Sequence, residues 1–289
     1  MPKPQVMVNL SMPELAASAA QLDVAGVGLM RAEFIALGAG VHPLAVLEEG
    51  GEEGYVEFFH EALVRVAAAF HPRPVTYRSS DLKSNEYRAL RGGERFEPEE
   101  ANPMVGARGV FRYLANPSVF RLELRAVREA RASGLDNIRL MLPFVRTVEE
   151  LRAVRQLVAE SGPWGDGFQL WAMSEVPATA LLAPQFAAEV DGVSIGSNDL
   201  AQLVLGVDRD SRELSGAYST SDPAVVEAIR LIVEGAHGAG RPVSICGDHP
   251  SRDPEFVDAL VRLGIDSISV VSDAVEATGA AVRSALATM

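Results

Sequence analysis

The runs 168-FQLWAMSEVP-177, 191-DGVSIGSNDL-200 and 242-PVSICGD-248 each pass from buried-strand chemistry to a polar cluster within one or two residues. Short, continuously apolar segments of this kind suit strands covered on both faces, as in parallel sheets. They stop at Ser174-Glu175, at Ser197-Asn198-Asp199 and at Cys246-Gly247-Asp248. In a parallel α/β barrel the C-terminal strand ends share one mouth, where catalytic groups gather. Two carboxylates and a thiol distant in sequence would then meet, as a metal-assisted enolate chemistry requires.

Working outward, five more runs carry strand character: 5-QVMVNL-10, 26-GVGLMRAEF-34, 74-PVTYRSS-80, 137-NIRLMLPFV-145 and 266-DSISVV-271. Amphipathic helical stretches lie between the strands, at 53–70, 118–134, 147–161, 223–240 and 254–264. Thr147, three residues before Glu150, reads as a helix cap, as does Ser251 ahead of Asp253 and Pro254. Gly134 and Gly264 read as helix ends. Eight strands alternating with helices predict an α/β fold, a single (β/α)₈ TIM barrel over residues 1–289. Two connections, 81–117 after the third strand and 198–222 after the sixth, are long enough to predict functional loops at the mouth.

Bulk composition agrees with a single enzyme-sized domain. Apolar residues make up 48% of the chain, enough for a large core, and charged residues 22%. The net charge of −13 disfavours non-specific nucleic-acid binding, which needs a basic face. One cysteine cannot form an intrachain disulfide and fits a reducing, cytoplasmic setting. No apolar run is long enough for a membrane span, and the first residues do not read as a signal peptide.

Glu175 and Asp199 form the strongest chemical pair, since Mg²⁺ takes one or two carboxylates and leaves its other positions to water and substrate oxygens. On residue type alone the pair reads equally as acids capping helix N-termini. Arg31, Arg78, Arg108 and Arg209 follow strands or sit in the long loops. Guanidinium groups bind carboxylate and phosphate in bidentate fashion, so a small anionic ligand would account for several at one mouth. Each taken singly reads as a solvated surface arginine. Cys246 offers a tunable proton donor or acceptor, although an unpaired cysteine is most often simply buried. His42, His60, His71, His237 and His249 are scattered and form no close ligand pair. Only His249 falls beside a candidate site residue.

The segments 26-GVGLMRAEF-34, 78-RSSDLKSNEY-87, 92-GGERFEPEEANPMVGARG-109, 141-MLPFVRT-147, 174-SEVPATALLAPQF-186, 193-VSIGSNDLAQLVLGVDRDS-211 and 245-ICGDHPS-251 resemble the C-terminal barrel of the PEP-utilising enzymes. That family includes phosphoenolpyruvate synthase, pyruvate phosphate dikinase and enzyme I of the sugar phosphotransferase system. The chain is most similar to the synthase branch. The resemblance implies Glu175 and Asp199 as Mg²⁺ ligands. It implies Arg31, Arg78, Arg108 and Arg209 as holders of the phosphate and carboxylate of phosphoenolpyruvate, with Asn198 beside the metal. Cys246 is implied as the acid/base at C3 of the pyruvate enolate. Asp81 and Lys83 fall in matching blocks without an implied duty.

The family's synthases also carry an ATP-binding domain and a swivelling phosphohistidine domain. Neither is expected within 289 residues, and no histidine here stands in a carrier-type segment. The resemblance therefore implies a phosphotransferase domain, incomplete on its own, that works with a phosphohistidine carrier on another domain or protein. It also implies homodimeric pairing. Two other readings stay open: a metal-dependent lyase or aldolase acting through a pyruvate enolate, and a non-catalytic module for phosphoenolpyruvate binding or dimerisation.

Overall fold

The computed structural model describes residues 3–208, 211, 213–214 and 218–289. Eight parallel strands close into a barrel in sequence order. They are β1 (Gln5–Leu10), β2 (Val27–Arg31), β3 (Val75–Arg78), β4 (Ile138–Leu142), β5 (Leu170–Ser174), β6 (Gly192–Gly196), β7 (Val243–Cys246) and β8 (Ser267–Val270). The ring is completed by β8 lying alongside β1, with Gln5 opposite Ser267 and Val8 opposite Val270. All eight expected strands are present, and the single TIM barrel stands.

Alternation divides each strand between two environments. Outward-facing Val8, Val27, Val75, Tyr77, Ile138, Leu140, Val193, Ile195, Val243, Ile245 and Ile268 join the main core under the helices. Leu29, Met141, Trp171, Met173 and Cys246 form a separate apolar cluster. They come from β2, β4, β5 and β7 and lie apart from the core under the helices, which places them in the lumen. Trp171 fits because Gly192 faces it: a Cβ there would run into the indole ring.

β2 departs from simple alternation. Val27 pairs with Val75 but Met30 pairs with Tyr77, so β2 spends one residue more than β3 over the same interval. This one-residue bulge falls at Gly28 and Leu29. A Cβ on Gly28 would meet Ser269 and Met7, and Leu29 belongs to the lumen cluster. Met30 then turns outward into the main core, and Arg31 comes level with Arg78. A bulge re-aims the side chains beyond it.

The expected helices are found at Glu52–Phe70, Pro117–Ala132, Val148–Glu160, Pro223–Gly238 and Pro254–Leu263. Thr147 caps as its spacing predicts, accepting from the Glu150 N–H at 3.0 Å. At 254 the cap is Asp253 rather than Ser251: its carboxylate accepts from Glu255 N at 2.9 Å and Phe256 N at 3.2 Å. Asp253 stands directly before the first helical turn, whereas Ser251 ends a separate 3₁₀ turn.

The strand-like reading of 26–34 extends too far, since a helix begins at Ala32. The expected long loops are also more ordered than loops. Within 81–117 lie helices Ser84–Arg88 and Val110–Ala115, and residues after β6 form the helix Ser197–Leu205. The segment 81–117 is pinned by Glu97, whose carboxylate receives both Arg112 Nη1 (2.7 Å) and Nη2 (2.6 Å) and lies 3.0 Å from His42 Nε2. Among the described residues, no helix is long and apolar enough to cross a membrane.

Candidate active site

Glu175 follows the last residue of β5, and three local features fix it. Its Oε1 accepts the Phe144 N–H at 2.7 Å. Phe144 has φ of 47°, a left-handed conformation costly for a non-glycine residue, of a kind that gathers at functional sites. On the other side Gly196 supplies space, because a Cβ there would collide with the Glu175 carboxylate. Asp199 arrives in the first turn of Ser197–Leu205, immediately after β6. Asp81 arrives from the segment after β3.

Ligand oxygens of Asp81, Glu175 and Asp199, all buried, lie within 4.8 Å of one another. Burial, then the neighbouring Asp199 charge, push the Glu175 carboxyl well above the usual carboxylate range, against the opposing pull of Arg78. Hard oxygen donors crowded in this way suit a divalent cation. Asp81 is the member sequence reasoning left without a role. Both of its oxygens are engaged by one arginine: Arg108 Nε donates to Oδ1 at 3.0 Å and Nη2 to Oδ2 at 2.5 Å. Asp81 is thus the anchor of Arg108, and Glu175 with Asp199 are the pair suited to hold a metal.

Arg108 also donates to Asp199 Oδ2 at 3.1 Å, and its guanidinium packs 4.0 Å over the Phe144 ring. Arg78, at the end of β3, points Nη1 toward Met173 Sδ at 3.4 Å, lies 3.8 Å from Asp81 and pairs with Glu33. The Cys246 thiol, at the end of β7, donates to the Ile195 carbonyl at 3.6 Å. Burial pushes that thiol up to about 11 despite Arg31 and Arg78 nearby, so it stays protonated at neutral pH. Gly247 follows because any side chain there would strike the Ser197 hydroxyl, which donates to the Cys246 carbonyl at 2.9 Å.

These groups wall one cavity of about 90 Å³, lined by Arg31, Arg78, Arg108, Glu175, Asn198, Asp199 and Cys246 together with Leu29, Met173, Gly196 and Gly247. A wider cavity of about 740 Å³ shares Arg31 and Asn198 with it. Seven of the sequence-derived site residues therefore converge. Asn198 also braces the mouth, donating to Asp248 Oδ2 at 3.0 Å while accepting from the Asp248 N–H at 3.2 Å. Arg209 lies outside the described residues. His249 lies 3.0 Å from Asp253 and edge-on to Phe256, which makes it a brace of the loop after β7.

Sequence reasoning named Asp81 without a role and missed Glu33 and the Phe144 backbone. Asp81 stood within a quoted motif, and Glu33 two residues beyond Arg31, so proximity to candidate arginines was the available signal.

Comparison with known proteins gives one consistent result. The family model for the PEP-binding domain of PEP-utilising enzymes matches residues 2–287. The chain is 49% identical over 282 residues to a probable phosphoenolpyruvate synthase of Staphylothermus marinus, covering 95% of this chain and 34% of that protein. It is 41% identical over 299 residues to the phosphoenolpyruvate synthase of Escherichia coli, covering 95% and 38% respectively. The chain thus spans about a third of the length of the curated relatives it matches. Among solved structures, an HpcH/Hpal aldolase/citrate lyase family protein from Burkholderia cenocepacia superposes with a TM-score of 0.55 at 16% identity, covering 99% of this chain and 94% of that one. A citrate synthase variant superposes with a TM-score of 0.54 at 13% identity, covering 99% and 93%. These two share the barrel fold. The chain belongs to the PEP-utilising enzymes, matching their PEP-binding domain over nearly its whole length.

Proposed function

We propose that this barrel is the Mg²⁺-dependent phosphoenolpyruvate/pyruvate site of a synthase-type phosphotransferase. The observation that carries the reading is the joint occupancy of one small cavity by a protonated thiol, two metal-suited acids and three arginines. Pyruvate becomes phosphoenolpyruvate by losing a methyl proton and accepting a phosphoryl group on the enolate oxygen. Arg31, Arg78 and Arg108 would bind the substrate's carboxylate and phosphate and offset charge on the transferring group, where stabilisation is mostly electrostatic. Held by Glu175 and Asp199, Mg²⁺ would supply Lewis-acid stabilisation of the enolate. In the direction of pyruvate formation, the neutral Cys246 thiol would donate its proton to C3. In the reverse direction the thiolate would take that proton, aided by the cationic side chains of Arg31 and Arg78.

The phosphoryl donor in this reading is a phosphohistidine on another domain or protein, and the setting is the cytoplasm. The barrels pair as homodimers, which sedimentation at micromolar concentration would check. A species of about 31 kDa throughout would exclude pairing of the symmetric C₂ kind.

The direct test is proton exchange. With pyruvate and Mg²⁺ in D₂O, the folded protein is expected to exchange the methyl protons, and Cys246→Ser to slow this. Exchange no faster than with Mg²⁺ alone would reject the proposal. Release of pyruvate from 2-keto-4-hydroxy acids would favour a lyase instead.

A further inference from the structure

Glu33 is buried in the first turn of the helix Ala32–Ala39, two residues after Arg31. One of its oxygens does two things. Glu33 Oε1 receives Arg78 Nη2 from the end of β3, and it also accepts the Asp81 backbone N–H at 3.0 Å. The Arg78 and Glu33 side chains are 11% and 9% exposed, so water does not compete freely for either. Glu33 is not among the residues walling the 90 Å³ cavity.

We infer that Glu33 is a positioning residue for the substrate arginines. A single carboxylate oxygen ties the Arg78 guanidinium to the backbone of Asp81, and Asp81 in turn seats Arg108. The inference deepens the proposed function and rests on it for the identity of the ligand. An arginine side chain has large rotational freedom, and a planar fork held in place binds an anion with less entropy to lose. Arg78 Nε is buried without a hydrogen-bond partner, so one guanidinium donor remains uncommitted after the Glu33 contact. The segment downstream of β2 thus sets two arginines at once, Arg78 by direct contact and Arg108 through Asp81.

The test compares wild type with Glu33→Gln, Glu33→Asp and Glu33→Ala, using calorimetry with phosphoenolpyruvate and Mg²⁺, and thermal melting to confirm folding. Glutamine keeps an acceptor oxygen at the same reach, whereas aspartate keeps the charge and falls short. Loss of a charge-assisted contact corresponds to about 10- to 100-fold in affinity, and that loss is expected for Glu33→Ala. Glu33→Gln should restore most of it and Glu33→Asp should not. Wild-type affinity in Glu33→Ala, or Glu33→Gln as weak as Glu33→Asp, overturns the inference.

If wild type itself binds no phosphoenolpyruvate, the functional reading fails and amide hydrogen exchange at Asp81 still decides. Slow exchange in wild type and Glu33→Gln with fast exchange in Glu33→Asp supports the tie. Equal exchange in all three removes it.

Discussion

Arg108 joins Asp199 to Asp81 across the barrel mouth, donating to the first at 3.1 Å and gripping the second with two nitrogens. The two acids come from the segments following β6 and β3, so this one side chain couples distant parts of the ring. Removing one partner of a buried ion pair leaves uncompensated charge, at a cost of about 3–5 kcal/mol. Arg108→Ala is therefore expected to lower stability by that order in urea denaturation. Arg108→Lys should recover little, because an ammonium cannot present a fork. Loss below about 1 kcal/mol, the range of an exposed pair, would show that the bridge is solvated in solution.

Cys246 separates binding from chemistry. Its thiol is buried and directed at a backbone carbonyl, so it contributes little to ligand affinity. Cys246→Ala is expected to bind phosphoenolpyruvate within about threefold of wild type, less than the loss of one charge-assisted hydrogen bond. Methyl-proton exchange of pyruvate should fall by about 100-fold or more, the scale of losing a general acid–base group. Affinity and exchange falling together would recast the cysteine as a packing residue.

The acid cluster makes a metal-linked stability test available. A ligand that binds the folded state at a hundred times its Kd stabilises by about 2.7 kcal/mol. Thermal melting should show Mg²⁺ raising the midpoint of wild type, with the rise abolished in Asp199→Asn. Gly196→Ala should blunt it as well, because the new methyl would displace the Glu175 carboxylate. An equal rise in all three proteins would place the cation elsewhere.

Glu123 provides the pH dependence. It is fully buried beneath the Ser79–Asp81 segment, accepting from Tyr77 Oη and Ser80 N at 3.1 Å each. Burial pushes its carboxyl up to about 7, from an ordinary 4.5. Between those values the folded protein keeps a proton that the unfolded chain has released. The Glu123 contribution therefore weakens stability as pH rises from 4.5 to 7, by about 3 kcal/mol in total, and is constant above. Glu123→Gln does not titrate, so its stability relative to wild type should climb across that window. A difference independent of pH between 4 and 8.5 would refute the assignment.

The barrel was legible because its strands are short apolar runs that stop abruptly at polar residues, a pattern that depends on neighbours in sequence. Glu175, Asp199 and Cys246 stood out as those stops. What stayed hidden depends on contacts across the ring. Asp81 acquires its role from Arg108, and Glu33 from Arg78, neither of which periodicity encodes. The helices Ser84–Arg88 and Val110–Ala115 are too short to display an amphipathic repeat, and each is tied to Glu97, by Arg88 at its carbonyl and by Arg112 at its carboxylate.

The bulge in β2 has a bearing on how this family's sites can change. Strict alternation from Val27 would leave Arg31 on the helix side of the wall and Met30 in the mouth. One surplus residue at Gly28 inverts that parity, and the arginine's access to the cavity hangs on a count rather than on a contact. Substitutions around it can be graded in effect, but regular pairing of the full-length strand without its bulge would trade a cation for a thioether in one step. The bulged pairing of β2 is thereby under the same constraint as the identity of Arg31 itself.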